Sequence, residues 1–226
     1  MPVPQTPSTA ANDALRLAEL LAARLCHELA GPIGALAGTL ELAIEDADDA
    51  GFALALEQAV ATAARLRLLR AAWGLPGEPL DVAGLRELLA GRPRAARVHL
   101  DLDGLDSTTA YSPHVARLLL NVVLLATEGL PHGGTIVVAQ PASDQLVVQL
   151  RGSRAASPAR FTAMLDDAAT GSADTREIQA VLTTLMARNA GIALTLPPGH
   201  EAVRLLIGLR APTCQYPLST SRGSRP

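Results

Sequence analysis

Between Asp13 and Ala47 apolar side chains return at steps of three, four or a multiple: Leu15, Ala18, Ala22, Leu25, Leu29, Pro32, Leu36 and Ala43. That period belongs to a helix with one apolar stripe, long by globular standards, for which Asp13 is a suitable N-cap. Pro32 is expected to bend it, because proline removes a backbone donor and crowds the preceding turn. The acidic run Glu45-Asp46-Ala47-Asp48-Asp49-Ala50-Gly51 interrupts the pattern. A second helix follows from Phe52 to Trp73, with Phe52, Leu56, Ala59, Ala63, Leu66 and Trp73 along one side. Two helices with a short connection form an antiparallel hairpin, and one hairpin cannot enclose its own stripe. Two identical hairpins can, so the expectation is a homodimer built on a four-helix bundle.

Residues 1–12, rich in Pro, Thr, Ser and Ala, are expected to be a loose tail ahead of the hairpin at 13–74. Gly74-Leu75-Pro76-Gly77-Glu78-Pro79 breaks any continuous helix and marks a domain boundary. A second domain is expected over 78–212. Its helices are 82–89, 113–128 (Ser112 as cap, Pro113 at the first helical position) and 175–189, closing at Gly191. Its strands are 98–102, 135–139, 146–150, 192–196 and 202–209. The class is therefore α + α/β, with helices over one face of a mixed sheet. Residues 213–226, polar and rich in Ser and Arg, are expected to be disordered.

Composition narrows the chemistry. Apolar residues make up 49% and aromatic ones 2%, which suits packed helices better than a sheet sandwich. A net charge of −3 leaves no strongly basic footprint for nucleic acid. All 19 basic residues are Arg, which removes a Walker lysine, a Schiff base and a kinase-type lysine. Cys26 and Cys214 are far apart and form no Cys-x-x-Cys pair, so neither a disulfide framework nor a structural zinc site is expected. With no signal peptide and no apolar run of about 18 residues, the expected compartment is the cytoplasm and no membrane partner is implied.

His27 lies two residues from both Leu25 and Leu29, so at about 100° per residue its imidazole points away from the buried stripe. Gly31, Gly34 and Gly38 lie on the same side. Each glycine costs a helix about 1 kcal/mol relative to Ala, which makes sense where a partner approaches the backbone closely. The carboxylate of Glu28 is placed to accept the Nδ1 proton, leaving Nε2 as a nucleophile. His99, His114, His132 and His200 share no spacing that would make them metal ligands.

Leu25-Cys26-His27-Glu28-Leu29-Ala30-Gly31-Pro32-Ile33 resembles the phosphoacceptor box of two-component histidine kinases, His-Glu-Leu-x-x-Pro-Leu. Leu120-Asn121-Val122-Val123-Leu124-Leu125-Ala126-Thr127-Glu128, then Pro131-His132-Gly133-Gly134-Thr135-Ile136, is similar to their nucleotide-binding Asn box. The resemblance runs from about Asp13 to Leu209, and the two boxes in this order are more specific than either alone. It implies that the second domain is a histidine-kinase-ATPase-like (Bergerat-type) sandwich.

The departures are informative. The magnesium-holding Asn of that family falls at Leu125 and its usual Lys at Glu128. Gln149-Leu150-Arg151-Gly152-Ser153-Arg154 stands where Asp-x-Gly-x-Gly should be, and Ala173-Asp174-Thr175-Arg176-Glu177-Ile178 replaces the glycine-rich lid. Magnesium needs oxygen ligands, so a Leu cannot substitute. A degenerate ATPase-like domain with no cofactor or metal of its own is expected. A phosphoacceptor hairpin joined to such a domain resembles the ChpT-type dimeric histidine phosphotransferases of alphaproteobacterial phosphorelays, whose motif begins Leu-Cys-His and an acidic residue.

That resemblance implies a relay. His27 accepts a phosphoryl group from the phospho-aspartate of a receiver domain of a hybrid histidine kinase and passes it to the aspartate of a response regulator. The receiver supplies magnesium, and Glu28 orients and charge-balances His27. Gly31, four residues after the histidine, has no side chain to place a hydrolytic water, so little phosphatase activity is expected. Partner recognition is expected on Arg24, Gly31, Gly34, Gly38 and Glu41, and on Arg65, Arg67 and Arg70 of the second helix. The alternatives are a non-catalytic dimeric receiver-binding adaptor and an ATP-dependent histidine kinase.

Overall fold

A computed structural model of the chain describes residues 9–93, 97–156, 161, 165, 174–175, 177–197 and 203–209. Residues 1–8 of the tail expected at 1–12, the tail expected at 213–226, and Ala173 and Arg176 of the lid segment lie outside the described residues, whereas residues 9–12 belong to the first helix.

Helix α1 spans Thr9–Asp46 and continues unbroken through Pro32. It begins before Asp13, which is therefore inside the helix and not its N-cap. Ala10 and Ala11 extend it, alanine being the strongest helix former. Ala47, at φ 48°, ends the helix in the left-handed region. Helix α2 spans Asp49–Trp73 and starts earlier than the apolar pattern indicates. Asp48 is its N-cap, accepting from the amides of Ala50 at 3.0 Å and Gly51 at 2.9 Å. The two helices cross closely at the tip, where a Cβ on Gly51 would lie 2.7 Å from that of Ala43.

The second region carries α3 (Val82–Leu89), β1 (Val98–Gly104), α4 (Pro113–Glu128), β2 (Gly134–Ala142), β3 (Gln145–Arg151), α5 (Ile178–Asn189), β4 (Leu194–Thr195) and β5 (Val203–Gly208). Ser112 makes no side-chain cap bond to α4, contrary to expectation; its carbonyl accepts from Ala116 instead. Gly191, at φ 64°, closes α5 as expected, in a conformation that glycine adopts without strain.

The five strands form one mixed sheet in the order β1-β2-β3-β5-β4. β1 and β2 are parallel and the remaining pairs antiparallel. Pairing sets Ile136 opposite Leu150, Val138 opposite Val148, and Ile207 opposite Leu146. All six are fully buried, so one face of the sheet is sealed while its alternate residues stay partly open.

Helix α4 covers that face and is itself covered by α2 and α5. Its sequence is apolar all round, as burial on several sides requires, and every residue from Leu118 to Thr127 is buried. The hairpin joins the same core through Leu68, Leu69 and Ala72 of α2, with Leu17, Leu21, Leu25 and Leu29 of α1 packed against it. Part of the α1 stripe thus serves contacts within the chain. The rest of the hairpin projects beyond the core, with Ile33 53% and Leu56 66% exposed.

Polar groups fix the junction. Asn121 of α4 is fully buried, and its amide donates to the carbonyl of Ala72 at 2.7 Å. Gln179 of α5 donates to Asn121 Oδ1 at 2.9 Å and accepts from the Trp73 indole at 3.1 Å. The first of these bonds satisfies the Ala72 carbonyl at the end of α2, which otherwise has no intrahelical partner.

Candidate functional site

His27 is exposed near the middle of α1, between Leu25 and Leu29, which are drawn toward the core. The imidazole therefore stands on a helix anchored from behind. Gly31, Gly34, Gly38 and Glu41 follow it at steps of four, three, four and three, so all five share one side of α1. A Cβ added to any of the three glycines would meet nothing within 4 Å. The chain leaves this strip free for contact with another molecule.

Glu28 departs from its expected role. Its carboxylate turns inward, with Arg24 Nε 2.8 Å from one oxygen and Arg65 of α2 closing on the other. Adjacent helical residues diverge by about 100°, and Glu28 is on the α2 side of α1 while His27 is on the open side. The residue fixes the two helices to each other, with both carboxylate oxygens engaged by arginines.

The expected partner-binding arginines are likewise divided. Arg24 sits within the ion cluster, and its Nη2 lies 3.0 Å from Glu128 at the end of α4. Arg65 is committed to Glu28, and burial followed by repulsion from Arg24 lowers its pKa. Arg67 and Arg70 are exposed. They lie two and five residues beyond Arg65, which turns them about 200° and 140° away from α1. There they line a separate depression of about 370 Å3 with Leu80, Leu88 and Arg117. They do not join the His27 face within one chain.

On the α2 side of the glycine strip, a cleft of about 450 Å3 opens between α1, α2 and the turn after α3. Pro32, Ala35, Val60, Ala61 and Arg92 line it. Gly91 brings that turn against α2 so closely that a Cβ would lie 2.2 Å from the Ala64 carbonyl oxygen.

Leu125, at the position of the metal-holding Asn, is fully buried in the core. Glu128, at the position of the usual Lys, faces Arg24 of the hairpin. Among the described residues no group of three or more His, Cys, Asp or Glu side chains could hold a metal ion. No helix among them is long and apolar enough to cross a membrane.

The sequence reading missed the pairing of Glu128 with Arg24, 104 residues apart, and the Asn121–Gln179 network. No local pattern signals either, although an Asn and a Gln on helices otherwise rich in apolar residues hint at the second.

Comparison with known proteins gives a consistent picture. The family model described as "Histidine phosphotransferase C-terminal domain" matches residues 82–202. The protein phosphotransferase ChpT of Brucella abortus (strain 2308) is 28% identical over 198 residues, covering 84% of this chain and 94% of that protein. A solved structure described as a bacterial phosphotransferase superposes with a TM-score of 0.72 at 27% identity, covering 91% of this chain and all of the other.

Proposed function

Because the chain belongs to the histidine phosphotransferase family, of the ChpT type, we propose that it is a relay phosphotransferase whose phosphoacceptor is His27. The observation that carries this reading is the exposed imidazole on an anchored helix, followed by a glycine strip with open space above it.

The donor is a phospho-aspartate on a receiver domain of a hybrid histidine kinase. The Nε2 lone pair of His27 attacks phosphorus, a P–N bond forms, and the P–O bond breaks with its electrons on the aspartate carboxylate. The second half reverses this on the aspartate of a response regulator. Such transfer depends on in-line placement and charge neutralisation. The glycine strip lets the receiver backbone come close. Glu41 adds a charge at the far end. The receiver brings its own magnesium.

The second domain supports the hairpin and does not bind ATP. Buried Leu125 supports this, since an apolar group sealed in the core offers magnesium no oxygen. Its Bergerat-type ancestry is part of the same reading. The active form is a homodimer in which second copies cover Ile33, Leu40, Ile44, Phe52, Leu56 and Val60, all exposed here. We assign its site of action to the cytoplasm, with neither nucleic acid nor membrane as partner.

The test is incubation with a phosphorylated receiver domain, followed by assay for acid-labile, base-stable label on this chain. Label is expected on the wild type and absent from His27→Ala, with the oligomeric state unchanged. Undiminished labelling of His27→Ala overturns the assignment. Binding of receiver without label would make the chain an adaptor.

A further inference from the structure

The ion cluster beside His27 takes no part in the transfer chemistry above. Arg24 Nε is 2.8 Å from Glu28 and its Nη2 is 3.0 Å from Glu128, while Arg65 holds the other Glu28 oxygen. Two cations and two anions from three helices thus balance one another around a crevice of about 230 Å3, floored by Leu68, Leu69 and Leu124.

The two ends of this cluster differ. Glu28 and Arg65 are well covered, at 10% and 17% side-chain exposure, whereas Glu128 keeps 32%. The surrounding protein nonetheless raises the Glu128 pKa, outweighing the downward pull of Arg24. An ionised Glu128 is thus poorly solvated and depends on Arg24, yet the pair is open enough to be exchanged.

Arg24 precedes His27 by three residues. Helical side chains lean toward the N-terminus, so the imidazole inclines over the turn that carries Arg24. The other arginine of α1, Arg16, is two turns further along, about 12 Å on the axis. A phosphoryl group on His27 therefore places its negative oxygens closest to Arg24 among the cations of this helix. A guanidinium matches phosphate oxygens with two parallel donors, whereas the Glu128 contact it would give up rests on one nitrogen at an open site.

Resting on the His27 reading, we propose that Arg24 is a positioning residue that exchanges partners. In the unphosphorylated chain it ties α1 to Glu128 of α4, and on phosphorylation it moves to the phosphoryl oxygens while remaining beside Glu28. The phosphorylated and free forms then differ in how firmly the hairpin is held to the second domain. Partners that must bind one form and leave the other gain a structural difference to read.

The experiment is amide hydrogen exchange on the full chain, before and after labelling by a phosphorylated receiver that is then removed. In the wild type, exchange over residues 124–130 is expected to quicken about fivefold on labelling, the scale of one open charge pair. In Glu128→Gln, which has no carboxylate for Arg24 to leave, exchange does not change on labelling. Arg24→Lys, which keeps the charge but not the two-donor geometry, shows a smaller change per labelled chain. Equal exchange in the labelled and unlabelled wild type overturns the switch alone, as does a full response in Glu128→Gln. Failure of His27 to take label overturns both the switch and the function it rests on.

Discussion

Glu28, the residue next to the exposed His27, closes its carboxylate on Arg65 of the opposite helix. The contact joins α1 to α2 at the level of the proposed phosphoacceptor, with Arg24 on the second carboxylate oxygen. Removing the charge leaves a mostly covered guanidinium with a weaker acceptor. Glu28→Gln should therefore destabilise the fold by about 1–3 kcal/mol, seen as a lower urea midpoint. The folded fraction should still accept label on His27. A variant of unchanged stability that no longer accepts label would return Glu28 to a role at the imidazole.

The glycine strip makes an opposite prediction, in which stability and activity part. Nothing lies within 4 Å of a Cβ at Gly34, and its backbone is helical. Gly34→Ala should stabilise the hairpin by up to about 1 kcal/mol through helix propensity. It should also slow transfer from a receiver, because the methyl group occupies space kept for the partner. Thermal unfolding and transfer rate measured on one preparation separate the two effects. A variant both more stable and equally fast would place docking elsewhere.

These cases show what was legible in the sequence. The existence of α1, α2 and α4 is legible there, but not every face. Phe52, Leu56 and Leu66 of the α2 stripe are exposed, while Ala55, Leu68, Leu69 and Ala72 are buried. Helix α1 packs Leu17 and Leu21 inward, where Leu15 of its stripe is exposed. His27 and the glycines share one side of α1 because one helical period governs them all. Helix ends were not, since Asp48 acts as a cap inside what reads as an acidic break. Arg65, Arg67 and Arg70 look like one basic patch, yet a helix turns neighbouring charges apart and only the position of α1 decides which is engaged. The link from Arg24 to Glu128 spans 104 residues and depends on how two regions dock.

The projecting half of the hairpin supplies a third prediction. Leu56 and Val60 lie one turn apart on α2 and are 66% and 60% exposed, whereas the core continues through Leu68, Leu69 and Ala72. Leu56→Glu together with Val60→Glu should convert a dimer to a monomer in sedimentation velocity. The second region should keep its unfolding transition, since neither side chain contributes to its core. A wild-type monomer, or a dimer unaffected by the two charges, would reject the bundle.

Acid titration gives the last. The Glu128 pKa lies above its ordinary value, set by the surrounding protein against Arg24, with Arg65 and Glu28 lining the same crevice. The folded chain therefore binds this proton more readily than the unfolded chain does. The stability so gained is complete below the unfolded value of about 4.3 and is lost as pH rises through the higher folded value. Glutamine at 128 has no such titration, and the other carboxylates cancel in the comparison. The stability of wild type minus that of Glu128→Gln should decline with rising pH across that window and level off above it. Urea unfolding from about pH 4 to 7 measures the difference. A difference that grows with pH would mean that Arg24 holds Glu128 ionised more strongly than its surroundings oppose it.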